Sequence, residues 1–157
     1  MKKKIIWGIV IVAFFGVITW FDLPYLVPTK NLISNQDIDY TYERISFMNW
    51  ANYDAQNLEI HDEKQMKNII DKLDNLKLRR TKEFNIGEYE ISFLASYKNS
   101  QNMTMVEEVF TINFSKVDDD NILRIDRHGN FKGHAYKILD KDFHIESFIK
   151  ELKGEQL

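Results

Sequence analysis

Histidines and carboxylates are the residue types in this chain that could bind a metal ion or move a proton. The four histidines are His61, His128, His134 and His144, and none pairs with another in the H-E-x-x-H spacing of a helical zinc site. His128 and His134 flank a predicted turn beside Asp126, so these three come nearest to a metal site. A solvated turn and a strand face explain them better, and the sequence predicts no metal site and no cofactor.

Clustered acids occur at two further places. Asp118-Asp119-Asp120-Asn121 has the oxygen ligands that Ca²⁺ prefers, but it lacks the glycine and the distant glutamate of an EF-hand loop, so a solvated turn is predicted. Glu107 and Glu108 are adjacent in a predicted strand, so their side chains point to opposite faces. They therefore do not form the pair of facing carboxylates that a glycosidase needs. With no G-x-S-x-G motif and no cysteine, no catalytic residue is predicted.

Aromatic and amide side chains in a segment without clear periodicity form the candidate binding site. Trp50, Tyr53 and Asn49 lie close together there, and such groups suit recognition of a peptide, a glycan or a protein surface. The alternative is structural, with Phe47 and Trp50 closing one end of the core. Both interpretations remain open from the sequence.

Charge is distributed unevenly along the chain. The 157 residues carry a net charge of −3, and beyond residue 29 the chain has 18 basic and 23 acidic residues, a net charge of −5. An acidic domain repels phosphate backbones, so nucleic acid is excluded as a partner. Arg79, Arg80 and Lys82 form a local basic cluster that a solvated strand edge explains.

The N-terminal segment has the composition of a membrane anchor. Three lysines (Lys2, Lys3, Lys4) precede residues 5–21, which contain no charged residue and would span about 26 Å as a helix. The lysines predict a cytoplasmic N-terminus and an extracytoplasmic C-terminal domain in the cell membrane. A cleaved signal peptide has a similar pattern, although no A-x-A site follows the apolar run. The predicted organisation is an anchor over 1–28, a linker over 29–36 and a domain over 37–154.

Hydrophobic spacing in the domain predicts an α+β fold. Asp62 and Gln65 resemble a capping box that begins a helix from about Glu63 to Leu76. Period-two alternation predicts strands before this helix and a run of strands after it, and a one-residue slip in the alternation between Tyr42 and Ile45 indicates a β-bulge. Ile145, Phe148, Ile149 and Leu152 predict a second helix. We expect one curved antiparallel sheet of about five to seven strands packed with two helices.

Two segments carry a family resemblance. They are Ile60-His61-Asp62 through Arg80, and Tyr136-Lys137-Ile138-Leu139-Asp140 leading into the final helix. With the intervening sheet, they resemble small membrane-anchored extracytoplasmic domains of unknown function from Gram-positive bacteria. The resemblance implies an α+β domain behind a transmembrane or lipoprotein leader, and it implies no activity.

These features favour a membrane-tethered binding protein over an enzyme. Its expected partners are the membrane, through residues 5–21, and an envelope protein or wall component, with a regulatory or immunity-like role within this class. The alternative is a small envelope hydrolase or metal-dependent enzyme that uses His128, His134 and nearby acids.

Overall fold

A computed structural model describes Gly16, Tyr25 and residues 29–33, 40–50, 58–127 and 130–152. Seven strands and two helices occupy these ranges. They are β1 (Thr41–Asn49), β2 (Leu58–Ile60), α1 (Glu63–Asn75), β3 (Leu78–Thr81), β4 (Tyr89–Lys98), β5 (Thr104–Val117), β6 (Asp120–Arg127), β7 (Asn130–Ile138) and α2 (Ile145–Leu152).

All seven strands form one antiparallel sheet in the order β2-β1-β4-β5-β6-β7-β3. Helix α1 follows β2 at one edge and leads to β3 at the other edge, after which β4 to β7 run as a meander. The predicted α+β architecture with five to seven strands and two helices is confirmed for the described residues.

Both helices bury the apolar stripes that the sequence predicts. Asp62 caps α1 by accepting the backbone N–H of Gln65 at 2.7 Å, which satisfies one of the free donors at the helix start. The buried residues of α2 are the four predicted ones. Both stripes join the strand residues of a single core, and those strand residues are Ile45, Phe47, Ile60, Leu78, Ile91, Phe93, Ala95, Val109, Phe110, Ile112, Phe114, Leu123, Ile125 and Ile138.

Strand β4 is flanked by two β-bulges, one in β1 and one in β5. The register shifts between Tyr42 and Arg44 in β1, as the sequence slip predicts, and β5 shifts opposite Phe93 and Leu94. An extra residue in a strand increases its local twist and bends it. The two bulges therefore set the local geometry of the sheet where the aromatic core is densest, with the rings of Phe93 and Phe110 stacked 4.3 Å apart.

The segment predicted as a linker contacts the domain. Thr29 and Leu78 exchange two backbone hydrogen bonds of 2.7 and 3.0 Å, so Thr29 extends the sheet edge at β3. Ile33 is 3% exposed, and its N–H donates to the carboxylate of Asp74 at 2.8 Å. Residues 29–33 thus belong to the folded unit, because a buried acid in α1 supplies the acceptor that a free linker would lack.

The predicted anchor falls, apart from Gly16 and Tyr25, outside the described residues. Within the parts of the chain that the structure describes, no helix is both long and apolar enough to cross a bilayer. The transmembrane helix stays a prediction from the sequence.

Candidate binding face

The sheet turns one face toward α1 and α2 and the other away from them, and we call the second the distal face. Strand pairing identifies its members, because directly paired antiparallel residues point to the same side. Its central positions are Ser46, Met48, Glu90, Ser92, Leu94, Glu108, Thr111, Asn113, Arg124 and Asp126. Hydroxyl, amide and charged side chains predominate among them, so this face is suited to polar contacts.

Two carboxylates of the distal face stand apart from its ion pairs. Arg44 pairs with Glu59 at 3.0 Å, and Arg124 pairs with Asp126 at 2.8 Å. Within the described ranges, Glu90 and Glu108 form no ion pair with a basic side chain. The middle of this face consequently has negative charge available for a cationic group.

Glu90 is the member of this face whose protonation is most affected by its surroundings. Partial burial raises the pKa of the Glu90 carboxyl, and the negative charges of Glu108 and Asp126 act in the same direction. Hydrogen bonds from the side chains of Trp50 and Ser92 oppose this shift because they stabilise the carboxylate. A cation bound here would favour the ionised form and remove the repulsion among the acids.

Trp50 lies where β1 ends beside β4. Its backbone N–H donates to the carbonyl of Glu88 at 2.8 Å, and its side chain is 46% exposed while it hydrogen-bonds Glu90. An indole fixed at one end and open to solvent offers a flat apolar surface beside a carboxylate. This combination stacks on sugars or contacts cationic side chains.

The three residues of the predicted binding site have different positions. Asn49 pairs with Tyr89, which places it in a row of residues on the helix side, whereas Trp50 reaches Glu90 on the distal face. Tyr53 lies outside the described residues. Phe47 is buried in the core, as the structural alternative predicts for it.

Asp126 and His134 lie on neighbouring strands but on opposite faces. Ile125 pairs with His134 on the helix side, while Asp126 pairs with Thr111 on the distal face. These two residues therefore do not converge on one ion, and His128 lies outside the described residues. In the described ranges no group of three His, Asp or Glu residues has the geometry to hold a metal.

The other acids singled out in the sequence are Glu107, Glu108 and the acidic run that begins at Asp118. Glu108 pairs with Leu94 on the distal face, and Glu107 pairs with Ala95 on the helix side, where it accepts a 2.5 Å hydrogen bond from the Tyr97 hydroxyl. The opposite orientation of Glu107 and Glu108 is confirmed. Asp118 has a positive φ of 53° in the turn before β6, and Asp120 is ion-paired with Lys137.

Sequence reasoning missed Glu90 and its interactions with Trp50 and Glu108. In the sequence, Glu90 is an ordinary polar position of a strand. Nothing near it indicates that Trp50, at the end of β1, and Glu108, in β5, lie close enough to affect its protonation. The signal available in the sequence was the pair of adjacent acids, Glu107 and Glu108, which interrupts an apolar strand. This pair indicated that one of the two acids faces inward, but it did not indicate which residues lie near either acid.

Compared with protein-family models, with curated proteins and with solved structures, the chain gives no match. The resemblance to extracytoplasmic domains of Gram-positive bacteria therefore stays a prediction, and function has to be argued from the geometry.

Proposed function

We propose that this protein is a membrane-tethered, extracytoplasmic recognition protein whose distal face binds a cationic surface of an envelope protein or wall component. The observation that carries the proposal is that Glu90 and Glu108 lie on one face without a basic partner among the described residues, and that Glu90 lies beside the exposed indole of Trp50.

The chemistry of this face favours a lysine, an arginine or another ammonium group as the part of the partner that binds. Carboxylates supply charge-assisted hydrogen bonds to such a group, and an indole face attracts a cation within about 6 Å of its centroid. The domain's net charge of −5 adds a long-range attraction that accelerates encounter with a basic partner. Binding should therefore weaken as ionic strength rises.

Tethering strengthens a weak recognition surface of this kind. Residues 5–21 would confine the domain to one membrane, where the effective concentration of a co-localised partner is raised without any additional contact. A modest affinity on the distal face is then sufficient for selective binding in the envelope.

Site-specific photo-cross-linking in cells tests the proposed face. A photoreactive amino acid replaces Thr111, whose register neighbours are Ser92 and Asp126, and a control replaces Asn68, which is exposed on α1. We expect a discrete adduct from the Thr111 position that disappears when Glu90→Gln and Glu108→Gln are added. Adducts that are identical from both positions, or unchanged by the two Gln substitutions, would contradict binding through this face.

Sidedness is tested by cysteine labelling, which is simple because the chain has no cysteine. Ser100 is the suitable position in the exposed β4–β5 turn, since the neighbouring Asn99 side chain accepts two backbone hydrogen bonds that shape the turn. We expect Ser100→Cys to react with a membrane-impermeant maleimide in intact cells and to remain in the membrane fraction. Protection until lysis would place the domain in the cytoplasm and contradict the proposed topology.

A further inference from the structure

A cleft of about 420 Å³ lies at the β3–β7 edge of the sheet, beside the ion pair of Arg124 and Asp126. Its lining is unusually basic for a domain of net charge −5. The residues that matter for its chemistry are Tyr25, Arg80, Lys82, Phe84, Arg124 and His134. We call this feature the basic cleft.

Two of its cations have no carboxylate partner in the part of the chain that the structure describes. Arg80 and Lys82 form no ion pair with any described residue, and both lie over the ring of Tyr25, at 5.4 and 5.1 Å from its centroid. Arg124 is different, because Asp126 neutralises it at 2.8 Å and its guanidinium lies 5.2 Å from the Phe84 ring. The cleft thus holds two positive charges that the described protein leaves uncompensated.

His134 adds a neutral donor to this cleft. A guanidinium only donates, so the 2.7 Å contact from Arg80 Nη2 makes His134 Nδ1 an acceptor and places the ring proton on Nε2. Burial lowers the pKa of His134, and the charges of Arg80 and Arg127 lower it further. The neutral ring therefore adds an N–H donor without adding a third repelling charge.

Holding Arg80 and Lys82 against one ring costs Coulombic free energy, which a bound anion would offset. A guanidinium fork, an ammonium group, an imidazole N–H and the hydroxyl of Thr81 together match the several acceptor oxygens of a phosphate. We propose that the basic cleft binds a phosphate group.

The course of the chain identifies a lipid headgroup as one source of this phosphate, an inference that depends on the proposed membrane anchor. Thr29 pairs antiparallel with Leu78, and Tyr25, four positions earlier in the sequence, lies against Arg80 and Lys82. Tyr25 is four positions beyond the end of the apolar segment at position 21, a span of at most about 14 Å. An anchored chain would hold the cleft at headgroup depth, while a free phosphate is the other source.

Native mass spectrometry of the full-length protein in a neutral, phosphate-free detergent tests the proposal. The probes are phosphatidylglycerol, a diacylglycerol with the same acyl chains, and inorganic phosphate. The test variant is Arg80→Gln with Lys82→Gln, and the matched control is Lys64→Gln with Lys67→Gln, two exposed lysines of α1. Circular dichroism melting establishes that both variants fold.

We expect wild-type protein to retain one phosphatidylglycerol at concentrations at which diacylglycerol does not bind. The Arg80/Lys82 variant should need about tenfold more lipid or higher, because two charge-assisted contacts are lost. The Lys64/Lys67 variant should stay within about twofold of wild type, since these exposed lysines lie on α1 outside the cleft. Millimolar inorganic phosphate should displace the lipid from wild type.

The outcomes separate the phosphate source and the two proposals. Binding of inorganic phosphate to wild type but not to the Arg80/Lys82 variant, with no preference for the lipid, would support the site and assign it to free phosphate. The proposal would be overturned if wild type and the Arg80/Lys82 variant bound phosphatidylglycerol and inorganic phosphate equally well, or if wild type bound neither of them. If the wild-type protein bound phosphate but the cysteine of Ser100→Cys were protected from the maleimide in intact cells, the phosphate site would be supported and the proposed membrane topology would be refuted.

Discussion

The two faces of the sheet are built from alternate residues of the same strands, yet their composition differs sharply. In β4, Ile91 and Phe93 are fully buried on the helix side, while Glu90 and Ser92, which alternate with them, lie on the distal face. One face concentrates apolar area that stabilises the fold, and the other presents an exposed indole and two carboxylates that have no basic partner among the described residues. The contrast teaches that stability and recognition are separable in this molecule, so substitutions on the two faces should have different effects.

The largest expected difference comes from adjacent residues of β4. Phe93 is 0% exposed and stacks on Phe110, so Phe93→Ala leaves a cavity and should lower the free energy of unfolding by about 3–5 kcal/mol. Leu94→Ala, on the half-buried distal side, should lower it by about 1 kcal/mol. Urea denaturation of both variants checks this. Equal losses would show that the distal face carries a core of its own.

The buried acid Asp74 provides a second test of stability on the helix side. Asp74→Ala removes the acceptor of the Ile33 N–H from a site that is 7% exposed, and it should cost about 1–3 kcal/mol of unfolding free energy. Asp71→Ala, an exposed position of the same helix, should change it by less than about 0.5 kcal/mol. Hydrogen exchange at Ile33 should accelerate only in the Asp74 variant; unchanged exchange there would contradict the attachment of residues 29–33 through this acid.

Tyr42 provides an alkaline test of the helix side. Burial, reinforced by the charges of Asp74 and Tyr40, raises the pKa of Tyr42 to about 12. The stability linked to this group is present in full below its ordinary pKa of 10.0 and is lost as the pH rises through about 12. The absorbance of the folded protein should show a tyrosinate step near pH 12 that Tyr42→Phe removes. Persistence of that step in the variant would assign it to another tyrosine.

Glu90 provides the corresponding test on the distal face, with the smallest expected effect on stability. Because its pKa is raised above the ordinary value of 4.5, the protonated form is the better accommodated one, and stability linked to Glu90 is lost as the pH rises through the raised pKa. Glu90→Gln should therefore be slightly more stable than wild type at pH 7, and the difference should vanish below pH 4.5. Urea denaturation at both pH values checks this.

Loss of the Thr111 photo-adduct in a Glu90→Gln protein that is at least as stable as wild type would separate recognition from folding on this face. A Glu90→Gln variant that is less stable than wild type at pH 7 would instead assign Glu90 a structural role, through its hydrogen bond with Trp50.

The sequence predicted those elements whose evidence is local. The limits of α1 agree with the prediction to within one residue, and the buried stripe of α2 is the predicted one, since capping residues and apolar spacing act within a few turns. The β1 bulge likewise appears as a slip in the alternation of Tyr42 and Ile45. Asn49 and Trp50, which are grouped in the predicted binding site, lie on opposite faces of the sheet, because neighbouring residues at a strand alternate between faces.

The sequence by itself determined the α+β class, the two amphipathic helices, the acidic charge of the domain and the alternation that gives each strand two unlike faces. These properties follow from residue type and short-range spacing. Only the tertiary structure decided that Trp50, Glu90 and Glu108 share one surface, that Asp74 holds Ile33, and that Tyr25 lies against Arg80 and Lys82. Each of these contacts joins residues distant in sequence, and sheet order and register, which no local pattern encodes, bring them together.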